Sequence, residues 1–144
     1  MDEREILDRA APCGIACGAC ELFVAKDDPA LLEAMVARGI PRDRLPCSGC
    51  RAVEGRCPVI GGTCETYACI RERGHVFCHE CAEFPCAKLQ PAADRAQALP
   101  HNLKVFNLVL IRRLGPKRFL EAAPAIKAKY YRGKMAVGKG PQEP

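Results

Sequence analysis

The chain has 144 residues, with 22 Lys or Arg against 17 Asp or Glu, 11 cysteines and no tryptophan. That is the size of one ordinary domain with at most an appendage, and no stretch reaches the roughly 18–20 consecutive apolar residues of a membrane span. The acidic start Met1-Asp2-Glu3-Arg4-Glu5 is unlike the basic-then-apolar opening of a secretory signal, so the sequence predicts a soluble, cytoplasmic protein whose thiols stay reduced.

Residues 1–11 carry the pattern of a short amphipathic helix centred on Ile6 and Leu7, and Pro12 stops it and delivers Cys13 into a turn. A better-marked helix follows, with Asp28 as N-cap, Pro29 at the first helical position, an apolar face of Leu31, Leu32, Met35 and Val36, and Gly39 at the C-terminal cap. Between 41 and 62, Pro41, Pro46, Gly49, Gly55, Pro58, Gly61 and Gly62 exclude long regular elements and predict loops. Thr63 has the character of an N-cap for a helix running to about Arg73 and ended by Gly74, with Glu65 near the positive end of its dipole. On such a helix Cys64 and Cys69 lie about 140° apart around the axis, so they cannot share one face and are free to serve different sites.

A dense turn spans 78–86, and Ala87 to Leu99 suits one or two short helices broken at Pro91. Past residue 100 the cysteines vanish. Leu103, Phe106, Leu110 and Leu114 recur at helical spacing, and Gly115-Pro116 ends one helix and starts another. Val105, Leu108, Val109 and Ile111 make the first of these helices apolar on most of its circumference, which predicts burial against the cysteine-rich body or against a second copy in a homodimer. Phe119, Leu120, Ile126, Tyr130 and Tyr131 continue the pattern, with Pro124 expected to kink or divide it. Residues 132–144, with three Gly and two Pro, are expected as a disordered basic tail.

Charge is distributed unevenly. Residues 1–100 hold 12 Lys or Arg against 15 Asp or Glu, a net of −3, while 101–144 hold 10 against 2, a net of +8. The basic C-terminal part is expected to lie against the acidic body or to meet an acidic partner, a protein or, with weaker support, nucleic acid.

All 11 cysteines fall between Cys13 and Cys86, and an odd count leaves any disulfide framework incomplete. Cys17/Cys20, Cys47/Cys50 and Cys78/Cys81 have the two-residue gap that lets one turn present both sulfurs to one ion. Gly18 and Gly49 sit inside two of these turns, where glycine suits the positive φ of a tight knuckle. Cys13, Cys57, Cys64, Cys69 and Cys86 can complete the shells. The arithmetic allows two four-ligand sites with three thiols spare, or three sites if His75 or His79 is a twelfth ligand, His79 being the better candidate. Closed thiolate sets suit zinc, which is tetrahedral and without redox chemistry. Two or three structural zinc ions would also offset the chain entropy that a core with five Phe and three Tyr leaves uncovered.

Iron–sulfur is the rival. Cys13-x3-Cys17-x2-Cys20 has the spacing of radical enzymes that hold a [4Fe–4S] cluster by three thiolates, but their partial β/α barrel needs a longer chain, and Ala19 stands where an aromatic residue is usual. A ferredoxin-like run would require a further Cys-Pro, for which this chain offers Cys57-Pro58 alone. An iron–sulfur electron carrier or redox sensor therefore remains the alternative function, and a thiol-rich metal carrier a third. Cys57 and Cys64, furthest from any paired gap, also fit the role of small buried apolar residues. No nucleophile signature accompanies His75, His79 or His101, so no catalytic set is assigned.

The ordered series Cys13-Gly14-Ile15-Ala16-Cys17-Gly18-Ala19-Cys20, Cys47-Ser48-Gly49-Cys50, Cys57, Cys64, Cys69, Cys78-His79-Glu80-Cys81 and Phe84-Pro85-Cys86 resembles a family of small cysteine-rich microbial proteins of unknown function. The resemblance implies zinc binding by these cysteines and carries no established reaction; the region after residue 100 lies outside it. The resulting expectation is a mainly α fold with a long irregular, metal-stapled cysteine-rich half and a C-terminal helical hairpin. Its parts are a metal-binding domain at 1–90, a helical extension at 91–131 packed on it, and the tail at 132–144. The expected function is a small cytosolic zinc-binding interaction module without catalysis, its ligands Cys13, Cys17, Cys20, Cys47, Cys50, Cys57, Cys64, Cys69, Cys78, Cys81 and Cys86.

Overall fold

A reciprocal cap starts the chain: Asp2 Oδ1 accepts from the Glu5 N–H at 2.8 Å while Glu5 Oε2 accepts from the Asp2 N–H at 3.0 Å, satisfying two donors that a helix start leaves open. In the computed structural model, which describes residues 1–144, α1 then spans Glu3–Arg9. Pro12 follows in a tight loop closed by a bridge between Ala10 and Ala16. A 3-10 turn at Cys17–Ala19 leads into α2 (Glu21–Val24), and α3 (Pro29–Ala37) starts as predicted from Asp28, whose Oδ1 accepts from the Leu31 N–H at 3.0 Å.

From 41 to 62 the breakers leave one helical piece, a 3-10 turn at Arg42–Arg44. α4 covers Glu65–Glu72, and its N-cap is Cys64, one residue later than the expected Thr63. A backbone bond from Cys64 N to Gly55 O at 3.0 Å ties that residue to the preceding loop, so a loop contact rather than a hydroxyl sets the boundary.

Ala87 to Leu99 forms no α-helix, contrary to expectation. A 3-10 turn at Ala87–Leu89 is all that precedes Pro91, and only turns follow until a second 3-10 turn at Pro100–Leu103. Pro91 disfavours helical geometry at Gln90, and the few residues before Pro100 are too short a run to hold a helix without packing. α5 (Lys104–Leu114) and α6 (Pro116–Arg132) form the predicted hairpin, joined at Gly115 with φ +81°. Pro124 does not divide α6; the helix runs through it because the apolar face continues on both sides, with Phe119 and Ala123 before it and Ile126 after it packed in the core. Where a disordered tail is expected, Met135–Ala136 (β1) pairs antiparallel with Gly140–Pro141 (β2). Gly138 and Gly140, at φ +80° and +78°, supply the turn.

The fold is mainly helical, and one core joins its halves: Ala10, Phe77, Leu89, Leu108, Ile111, Phe119 and Ala123 are buried together. Burial of α5 is less complete than its apolar circumference suggests, since Phe106 and Val109 stay 55% and 49% exposed. Arg51 fastens three segments of the cysteine-rich half. Its Nε donates to Leu7 O at 3.0 Å, its Nη2 donates to Val76 O at 2.7 Å, and its guanidinium lies 5.1 Å from the centre of the Phe77 ring. No helix is long and apolar enough to cross a membrane.

Candidate metal centre

Two of the three paired cysteine gaps take the same form. Cys17–Ala19 and Cys78–Glu80 are 3-10 turns in which the second cysteine closes the turn on the first, Cys20 N to Cys17 O at 2.9 Å and Cys81 N to Cys78 O at 3.2 Å. The Cys47/Cys50 turn is different: Gly49, at φ +102°, donates its N–H to Cys47 Sγ at 3.4 Å. A Cβ on Gly49 would lie 2.2 Å from Asp8 O, so glycine is required there both for the backbone angle and for the close approach of α1.

Gly18 does not have the positive φ expected of it; what it supplies is room, since a Cβ would meet the Arg9 side chain at 3.2 Å. The glycine with that angle in the first turn is Gly14, at φ +88°, where a Cβ would lie 2.6 Å from Lys104 O on α5. Asn107 Nδ2 donates to Gly14 O at 2.8 Å, and Lys127 Nζ on α6 donates to Ala19 O at 2.6 Å and to Glu21 Oε1 at 2.7 Å. The C-terminal hairpin thus braces the Cys13–Cys20 turn from two sides of the chain.

Four of the eleven thiols gather around one cavity. Cys69, Cys78, Cys81 and Cys86 line one cavity of about 240 Å³, together with His75 and Arg73. Burial pushes the Cys78 thiol up to about 12, with Cys13, Cys86 and Cys69 adding to the rise. The other seven act on one another, and through Cys13 on Cys78 as well. Burial pushes Cys50 up to about 12, reinforced by Cys13, Cys64 and Cys57, and Cys17 is raised well above the usual thiol value by burial and then by Cys50, Cys13 and Cys20. Burial likewise raises Cys57, with Cys47, Cys64 and Cys13 contributing, and raises Cys47, with Cys20 contributing. Cys69 lies within α4 while Cys64 is its extended N-cap residue, so the helical separation expected of the pair does not apply, although only Cys69 lines the cavity.

All eleven thiols are free, and ten of them are half-buried with Cys17 buried. No three His, Cys, Asp or Glu side chains are disposed to hold a metal ion between them as they stand. The donor set fits a soft divalent cation in kind, because such an ion stabilises the thiolates that burial alone disfavours. To close on an ion, the side chains of either group would have to turn.

One neighbour of the smaller group escapes motif reading. Arg73, the C-cap residue of α4, donates from Nη1 to Cys81 Sγ at 3.1 Å and from Nη2 to Glu83 Oε1 at 2.9 Å, contacts 8 and 10 residues away that no spacing rule marks. His75 lines the cavity with its Nδ1 3.9 Å from Glu80 Oε2. His79, the better candidate by spacing, stacks on Phe77 with ring centres 5.7 Å apart and does not line that cavity. His101 Nε2 donates to Gln90 O at 2.8 Å. Asn107 and Lys127 had no signal in spacing at all, since their partners lie 93 and 108 residues away.

Residues 9–91 match the family described as protein of unknown function (DUF3795). The chain belongs to that family. The DUF3795 span holds all 11 cysteines, and so both thiol groups, while α5 and α6 lie beyond its end. The resemblance carried by the cysteine series from Cys13 to Cys86 is thereby borne out as membership of a cysteine-rich family of unknown function. No curated protein matches the chain, and no solved structure does.

Proposed function

We propose that this member of the DUF3795 family is a non-catalytic zinc-binding module in which bound ions hold the irregular cysteine-rich half in shape. The observation that carries the reading is the gathering of Cys69, Cys78, Cys81 and Cys86 around one cavity, drawn from α4, a 3-10 turn and the segment after it. Those four would hold one ion. The seven-thiol group of Cys13, Cys17, Cys20, Cys47, Cys50, Cys57 and Cys64 would hold the rest. Zinc in such sites supplies closed tetrahedral coordination and folding free energy, without redox chemistry.

Anaerobic purification under reducing conditions, followed by elemental analysis, tests this. At least two zinc per chain are expected. Cys78→Ser with Cys81→Ser should lose one equivalent and keep the remainder, and Cys17→Ser with Cys50→Ser should spare the site that the first variant destroys. Cobalt substitution gives each variant an independent readout through its thiolate charge-transfer bands. Iron with acid-labile sulfide and visible absorption would replace this reading with the iron–sulfur alternative.

The module's partner is acidic on the same proposal. Arg112, Arg113, Lys117 and Arg118 are all exposed around the α5–α6 corner, and Phe106 and Val109 are exposed on α5. Binding to polyglutamate that weakens steeply with salt and disappears when all four are changed to Glu is the expected result. Tighter binding to a single-stranded oligonucleotide than to the polypeptide would assign the surface to nucleic acid instead.

A further inference from the structure

A second and larger cavity, of about 580 Å³, opens between the Cys17–Cys20 turn, α3, the segment 97–103 and α6. Its volume falls within the roughly 300–1,000 Å³ of small-molecule sites. The wall is mostly apolar, with Leu22, Met35, Leu99, Leu103 and Ile126 among its residues. Among the polar groups that break that wall are one acceptor atom and one cation that the fold leaves unpaired.

The first is Asn107, which lines the cavity and is only 3% exposed. Its Nδ2 is committed to Gly14 O at 2.8 Å, and that bond fixes which way the amide faces, because a carbonyl oxygen accepts only from the nitrogen. Asn107 Oδ1 is buried and has no hydrogen-bond partner anywhere in the protein. A buried acceptor without a donor is unfavourable, and such groups in folded proteins are rare.

The second is Arg38. It lines the cavity, is exposed, and takes part in no ion pair. The other charges at the cavity are Lys127 and Glu21, which pair with each other at 2.7 Å. The three together leave a net positive charge from Arg38.

We propose that this cavity is a binding site for a small amphipathic organic anion, with an apolar body against the aliphatic wall, an N–H or O–H donated to Asn107 Oδ1, and its anionic group at Arg38. Each part of that ligand answers a feature of the site: aliphatic area, an unpaired buried acceptor, an unpaired cation. The site shares only Cys20 with the thiol groups, and it does not rest on the metal reading.

The probe is 8-anilinonaphthalene-1-sulfonate, which carries an aromatic body, one secondary N–H and one sulfonate, added to the full chain as purified. Saturable binding of one dye per chain is expected, read by fluorescence titration. Arg38→Glu should weaken it at least about fivefold, since it turns an attraction into a repulsion at the rim. Ala98→Trp, at an exposed lining position, should abolish it by filling the space. Arg95→Glu, an equal change of charge at a residue that does not line the cavity, should leave it within about twofold. Loss of the Oδ1 acceptor in Asn107→Leu should also weaken binding, and the two surface variants decide the matter if that one does not fold. Binding that never saturates, that ignores both Arg38→Glu and Ala98→Trp, or that responds equally to Arg95→Glu would overturn the proposal. Zinc content is measured on the same samples, so a failure here and a failure of the metal assignment are separate results.

Discussion

On the proposed zinc reading, stripping the reduced protein with a strong chelator should abolish most of its amide dispersion between residues 13 and 86. The expected effect is the largest available in this molecule, on the order of 10 kcal/mol for each structural site lost. The physical reason lies in what the cysteine-rich half lacks. Between Arg42 and Gly62 it has one 3-10 turn and no α-helix or strand, and among residues 38 to 66 none of the large apolar side chains is buried. Backbone entropy of about 1–2 kcal/mol per ordered residue therefore has little apolar burial to offset it there. Because Phe77 and Leu89 share a core with α5 and α6, the helical signal should fall in the same transition rather than survive as a separate step. Two-dimensional NMR and far-ultraviolet circular dichroism during a chelator titration check both statements. Unchanged spectra after complete demetallation would rule out the structural role for the ions.

Phe119→Ala should destabilise the protein by about 3–5 kcal/mol, the range for removing a fully buried aromatic ring. Phe119 is 0% exposed and sits in the core with Leu108, Ala10 and Phe77. It lies on α6, outside the residues that match the family, so the loss would show that the C-terminal hairpin is part of the folded unit that carries the cysteines. Urea unfolding at a fixed excess of zinc is the appropriate measurement, since under the proposed zinc reading free metal concentration would otherwise shift the apparent stability. Phe106→Ala is the internal comparison. With its ring 55% exposed, it should change stability by less than about 1 kcal/mol.

Much of the local structure is legible in the chain because it depends on neighbours in sequence. Asp28, Pro29 and Gly39 bound α3 through a side-chain cap, a fixed φ and a left-handed angle, each acting within a few residues. The same is true of the paired-cysteine turns at Cys17–Cys20 and Cys78–Cys81, and of the Gly115-Pro116 joint. The failures are the places where a distant contact decides. Gly18 has the composition of a positive-φ knuckle, yet its role is to admit the Arg9 side chain from α1. Pro124 carries the composition of a break, yet packing on either side of it keeps α6 whole. Residues 87–99 have helical composition without an apolar face to dock, and stay irregular after Leu89 enters the core.

The sequence by itself determined the mainly helical class, the turns that pair cysteines, and the family. Those follow from backbone stereochemistry and spacing, which are short-range. Only the tertiary structure decided which thiols gather at one cavity, that His75 rather than His79 stands beside them, and that Asn107 and Lys127 reach back across 93 and 108 residues to brace the first turn. Such pairings have no sequence signal because they are selected by packing of the whole core, where burial of Phe119, Leu108 and Phe77 together outweighs any local preference.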